Sequence, residues 1–67
     1  MSVLKVIEVL ANSTTSWEDA TQTAVTHAAK SVRNIKSVNV NNMSAQVDNK
    51  GAIIEFRVNV KISFEVE

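Results

Sequence analysis

Residues 52–66, AIIEFRVNVKISFEV, place Ala52, Ile54, Phe56, Val58, Val60, Ile62, Phe64 and Val66 at every second position. The residues between them, from Glu55 onward, are Glu55, Arg57, Asn59, Lys61, Ser63 and Glu65. A period of two sends one nearly unbroken apolar row to one face of a β-strand and a polar row to the other. At about 3.3 Å per residue the strand runs roughly 50 Å, far longer than the usual strand of about 5 to 6 residues. So short a chain cannot cover a strand of that length, so an oligomer-forming sheet with a helix on it is expected.

The whole chain has 67 residues and reads as a single domain, 1–67. A chain of this size buries only about 60% of the surface that its unfolded form exposes. Small domains compensate with disulfides, a metal or self-association. The sequence has no cysteine, which removes disulfides and thiolate zinc sites and leaves self-association as the default. Seven Lys plus Arg balance seven Asp plus Glu, so no overall field draws the chain to nucleic acid or to anionic lipid. The apolar start, Val3 to Leu10, carries Lys5 and Glu8 and is too short for a membrane span, and no small-residue cleavage site follows a basic start. The expected location is cytoplasmic, with no nucleic-acid and no membrane partner.

Upstream of the long strand, residues 2–11 (SVLKVIEVLA) carry Val3, Ile7, Val9 and Ala11 on one parity and Leu4, Val6 and Leu10 on the other. Such a strand is apolar on both faces, fit to pack a helix on one side and a neighbouring subunit on the other. The polar loop from Asn12 to Ser16 ends in a helix start signal. Thr15 stands three residues before Glu18, and Ser16 three before Asp19, either pair suiting a reciprocal cap. Glu18 and Asp19 also place negative charge at the positive end of the helix dipole.

From Trp17 to about Ile35 the period becomes helical. Trp17, Ala20, Ala24, Ala28 and Val32 form one face, with Val25 and Ala29 beside it, and Lys30 and Arg33 fall in the expected last turns. Small side chains let a helix lie close to a sheet. Residues 36–47 (KSVNVNNMSAQV) read as a second strand whose apolar parity changes from Val38 and Val40 to Met43, Ala45 and Val47. One extra residue near Asn41 and Asn42, a β-bulge, accounts for the change. Asp48 to Gly51 then close a hairpin, with the only glycine suited to a left-handed position.

The resulting class is α+β with element order β-α-β-β. A right-handed crossover leaves a gap between the first two strands, and the third fills it antiparallel to both, giving sheet order 1-3-2. Chemistry is sparsely represented. With one histidine, no cysteine and no glycine-rich loop, nucleophile triads, phosphate loops and His-rich metal sites are excluded, and no enzyme is expected. His27 reads as a solvated surface residue. Trp17, in the first turn of an amphipathic helix, reads as core. The carboxylates Glu8, Glu18, Asp19, Asp48, Glu55, Glu65 and Glu67 suit hard cations such as calcium, but none of their spacings matches a calcium loop. Solvation or pairing with Lys5, Arg33, Arg57 and Lys61 is the simpler explanation of them.

Length, element order, MSVLKVIEVL, the TSWEDA helix start, the Ala-rich helix ending in AAKSVRNI and the final EFRVNVKISFEVE together resemble the dodecins over essentially the whole chain. The resemblance implies a hollow homododecamer built from trimers, each subunit a three-stranded antiparallel sheet partly wrapped round one helix. It also implies a small-ligand storage or binding role. In flavin-binding dodecins the flavin rings lie between tryptophans near the start of the second strand, and a glutamine on the third strand bonds the ring edge. By alignment Ser37 stands at the stacking position and Arg57 at the glutamine position. Stacking is worth on the order of 1 to 3 kcal/mol per ring, so no tight flavin site is expected.

The departures are similar to the flavin-less, calcium dodecin-like branch, which makes calcium the sharper expectation. Glu8, Glu18 and Asp19 are the offered metal residues, because the first strand and the helix start bring carboxylates near the Asn12 to Ser16 oxygens. Calcium takes about 6 to 8 oxygens, so waters or another subunit would contribute. Arg57 also suits an anion or a carboxylate across an interface. Flavin (riboflavin or FMN) storage and a structural shell without a dedicated ligand remain the alternatives.

Overall fold

The computed structural model describes residues 3–66. Its elements are β1 (Val3–Ser13), α1 (Trp17–Ala28), β2 (Ile35–Val47) and β3 (Ile53–Val66). The three strands form one antiparallel sheet in the order β1-β3-β2. The long alternating strand is therefore central, as its regular pattern requires, and both edges are more irregular in sequence.

Alternation on β3 decides where the core sits. Val58, Val60 and Ile62 are fully buried and stand opposite Ala11, Val9 and Ile7 of β1 and Met43, Val40 and Val38 of β2. The helix lies on this face and contributes Ala20, Ala24 and Ala28, all buried, at four-residue spacing. With only a methyl group at each contact, α1 can approach β3 closely. Ile7, Val9, Ala11, Trp17, Val25, Ile35 and Val38 pack partly buried around this centre.

The helix is much shorter than the sheet. Twelve residues give about 18 Å of helix, whereas the molecule extends over 52 Å. Apolar side chains that the helix does not cover remain exposed, among them Met43 beside it and Val47, Ile53 and Ile54. On the other face, Leu4, Val6 and Leu10 of β1 project from an edge strand into solvent, Leu10 at 68% exposure. The first strand is thus apolar on both faces, and its outer row is uncovered in a single chain.

The expected bulge lies between Val40 and Asn42, where the register shifts so that Val40 faces Val60 and Met43 faces Val58. Two further shifts, at Ile35/Ser37 and Gln46/Val47, have no parity signature in the sequence. The hairpin turn is held by Asp48, whose Oδ1 accepts from the backbone N–H groups of Lys50 at 2.9 Å and Ala52 at 3.0 Å. Gly51 N–H donates to the Asp48 carbonyl at 3.1 Å with φ +84°. Nothing lies within 4 Å of a Cβ added there, so Gly51→Ala carries backbone strain alone. Its expected cost is about 1 kcal/mol, read as a lower urea midpoint with an unchanged slope.

The helix ends earlier than its periodicity predicts, at Ala28 instead of near Ile35. Lys30 and Arg33 therefore lie beyond it, and His27 is the basic residue of the last turn. Lys30 and Ser31 donate to the carbonyls three residues before them, tightening the chain past the helix. Asn34 then takes φ +62°, a left-handed geometry that Asn tolerates, and its carbonyl accepts from Glu65 N–H at 2.9 Å. Ile35 must be extended to pair with Phe64, and that pairing, with the crossover it demands, overrides the helical pattern of residues 29–35. At the other boundary, Asn12 and Ser13 extend β1 two residues into the expected loop. The predicted beginning of β1 at Ser2 lies outside the described residues. No helix of the described residues is long and apolar enough to cross a membrane.

Candidate functional site

At the helix start, Ser16 is the N-cap and its Oγ accepts from Asp19 N–H at 2.9 Å. The return half of the expected cap is indirect. Asp19 Oδ2 accepts from Ser13 Oγ at 2.7 Å, and Ser13 Oγ accepts from the N–H groups of Thr15 at 2.9 Å and Ser16 at 3.4 Å. Ser13, buried at the end of β1 on the helix face, thus couples the strand to the helix cap. Periodicity could not show this, because a serine at a strand end looks like any loop serine. Glu18 is exposed beside it.

Trp17 is half-buried, and it has specific partners. Its Nε1–H donates to the Ser44 carbonyl of β2 at 2.9 Å. Its ring meets Phe56 of β3 edge to face, with centroids 4.8 Å apart and planes at 75°. The only tryptophan of the chain is therefore committed to joining the helix start to the sheet. Between α1 and the bulged part of β2, beside this ring, runs an open groove of about 430 Å³ whose lining includes Glu18, Thr21, Val40 and Met43.

On the sheet face away from α1, Arg57 of β3 stands opposite Asn12 of β1 and Ser44 of β2. Its Nε–H donates to Asn12 Oδ1 at 2.9 Å. With the Gln46 amide turned so that its oxygen faces the guanidinium, that oxygen accepts from Nη2 at 2.6 Å and from Nη1 at 3.2 Å. One side chain thereby ties the central strand to both edges. Ser37 is exposed and pairs with Ser63 at the first irregularity of β2. Ser63 lies six residues beyond Arg57, roughly 20 Å along the strand. The two substituted flavin positions therefore do not converge within one chain.

Nor do the three offered metal residues converge within one chain. Glu8 faces Lys61 across the β1–β3 pair on the sheet face away from the helix. Glu18 and Asp19 belong to the first turn of α1 on the other side. Among the described residues, no three His, Cys, Asp or Glu side chains gather as a group that could hold a metal ion.

With this geometry in hand, comparison with known proteins assigns the fold to a family. The family model described as Dodecin matches residues 3–67. The chain is 39% identical over 66 residues to the calcium dodecin of Mycobacterium tuberculosis (strain ATCC 25618 / H37Rv), covering 98% of this chain and 92% of that protein. A crystal structure of that calcium dodecin, described as calcium chelating with a novel calcium-binding site, superposes with a TM-score of 0.83 at 38% identity, covering 98% of this chain and 93% of the other. A point variant of the dodecin from T. thermophilus matches with a TM-score of 0.91 at 25% identity, over 100% of this chain and 98% of the other. The β-α-β-β order, the 1-3-2 sheet and the full-length family match together lead to one conclusion: the chain belongs to the dodecin family.

Proposed function

We propose that the chain is a cytoplasmic, homo-oligomeric small-ligand binding protein that holds calcium and leaves flavin unbound, assembled as twelve copies built from trimers. The observation that carries this reading is the pair of residues at the flavin positions of the resemblance. Ser37 offers a hydroxyl where a ring would need an aromatic face, and Arg57 is engaged by Asn12 and Gln46. The one tryptophan cannot replace the missing face, since it is bonded to Ser44 and packed on Phe56. Similarity to a protein named calcium dodecin at 39% identity supports calcium as the ligand. No catalytic group is assigned.

Glu8, Glu18 and Asp19 are proposed to contribute oxygens, but not within a single subunit. Glu8 and the two helix carboxylates lie on opposite faces of the sheet, so an ion that uses both draws on more than one copy. The Ser13 hydrogen bond engages one oxygen of Asp19 and fixes its carboxyl group at the helix start.

Thermal unfolding with and without calcium, with magnesium as the control, tests the proposal. Calcium at about a hundred times its Kd adds about 2.7 kcal/mol to stability, so the midpoint rises with calcium more than with magnesium, and riboflavin fluorescence stays unquenched. A calcium-insensitive midpoint together with quenched riboflavin would overturn the proposal in favour of flavin storage. A second reading, a shell with no dedicated ligand, is favoured by the lack of a gathered metal-ligand group among the described residues. It predicts that neither addition has any effect.

A further inference from the structure

The cation at the centre of the sheet's open face is held by neutral partners. Arg57 is half-buried; its Nε–H donates to the Asn12 amide oxygen, and with the Gln46 amide turned so that its oxygen faces the guanidinium, Nη1 and Nη2 donate to that oxygen. Neither amide cancels its charge. Lys36, by contrast, has Glu65 at 3.8 Å, and Lys61 has Glu8 directly opposite in register. Glu55, two residues before Arg57 on the same strand face and opposite Gln46, does not come within ion-pair distance of it. Among the described residues Arg57 has no carboxylate at 4.0 Å or less.

A guanidinium carries five N–H donors in a fixed plane. Three are used to bind the flanking strands, which stops the side chain from swinging away and reduces the entropy lost when a ligand binds. Two donors and the whole positive charge remain. We propose that Arg57, positioned by Asn12 and Gln46, is the cation of a site for a small free oxyanion, of which inorganic phosphate is the simplest probe. Its ligand chemistry is opposite to that of the calcium proposal, its residues differ from Glu8, Glu18 and Asp19, and it stands whether or not calcium binds.

The test is ³¹P NMR of inorganic phosphate, titrated against the assembled protein in EDTA and at ionic strength held constant with chloride. The native protein produces saturable line broadening. Arg57→Gln weakens the apparent affinity by about tenfold or more, the size expected for losing charge-assisted hydrogen bonds. Arg57→Lys, which keeps the charge without the planar fork, also weakens it. Lys61→Gln removes a neighbouring cation of the same face and leaves the affinity within about twofold, as expected of a solvent-screened charge. Acetate competing with phosphate supports a general oxyanion site, and a failure of acetate to compete supports a phosphate-selective one. No saturable broadening, or equal losses in the Lys61 and Arg57 variants, overturns the proposal. A native mass that falls apart in Arg57→Gln while phosphate leaves the native protein unaffected also overturns it, because Arg57 would then pair with a carboxylate of a second copy. Should Arg57→Gln not fold, Arg57→Lys decides between the same outcomes.

Discussion

On the proposed assembly, the double replacement Val6→Asp, Leu10→Asp should reduce the oligomer to small species while each chain keeps its sheet and helix. Both side chains are exposed in the single chain and lie on the face of β1 away from α1. Their neighbours Ile7 and Val9 face the helix, so the intrachain core does not depend on them. Buried between copies, each aliphatic side chain would contribute about 1.5–3 kcal/mol. A carboxylate in its place would add the cost of a desolvated charge. Because every copy carries the lesion, the loss repeats at each equivalent contact of a symmetric assembly. Native mass should fall to monomers or small oligomers, with the far-ultraviolet circular dichroism preserved at low temperature. A variant that retains the native mass would remove the outer row of β1 from the interface.

The second large effect is a gain. On the proposed function, Ser37→Trp combined with Arg57→Gln should give the assembled protein a riboflavin affinity well above that of the native chain. Ser37 is exposed on β2, so a large side chain there meets no described core. Replacing Arg57 frees the strand position that the resemblance assigns to a ring-edge contact. Stacking contributes about 1 to 3 kcal/mol per ring, and a two-sided sandwich doubles it. Affinity should therefore rise by about thirtyfold to more than ten-thousandfold, read as quenching of riboflavin fluorescence. Equal quenching by native and variant proteins would show that Ser37 is not what excludes flavin. An assembled variant with no quenching would show that the substituted positions do not form the ring site in this chain.

Much of the fold is legible because β3 has a nearly perfect period of two and α1 places alanine at four-residue intervals. Together they determine which residues meet: Val58, Val60 and Ile62 against Ala20, Ala24 and Ala28. The Val40/Asn42 bulge is legible because it changes the parity of apolar residues. The shift at Ile35/Ser37 is not, because it falls where the strand begins and no earlier apolar row exists to be displaced. The helix end is not legible for a related reason. Val32 continues the helical stripe, but strand pairing of Ile35 with Phe64 is a tertiary demand with no local signal.

The site is less legible than the fold. Sequence singles out Arg57 and Ser37 only through family resemblance, and it cannot show that Arg57 reaches Asn12 and Gln46. Those contacts join positions far apart in the chain and depend on register. Ser13 was hidden likewise, since its role comes from the meeting of a strand end with Asp19. The metal expectation takes the first strand and the helix start to bring their carboxylates together near the Asn12 to Ser16 oxygens, whereas alternation places Glu8, opposite Lys61, on the face away from the helix start.

The central claim is that this subunit completes itself with further copies and holds calcium in place of flavin. The most direct measurement is native mass spectrometry of the particle as isolated, repeated after separate additions of calcium and riboflavin. The proposed function predicts a twelve-subunit mass that retains calcium and gains no flavin. A monomer or dimer, or a twelve-subunit particle that takes up riboflavin and ignores calcium, would contradict it.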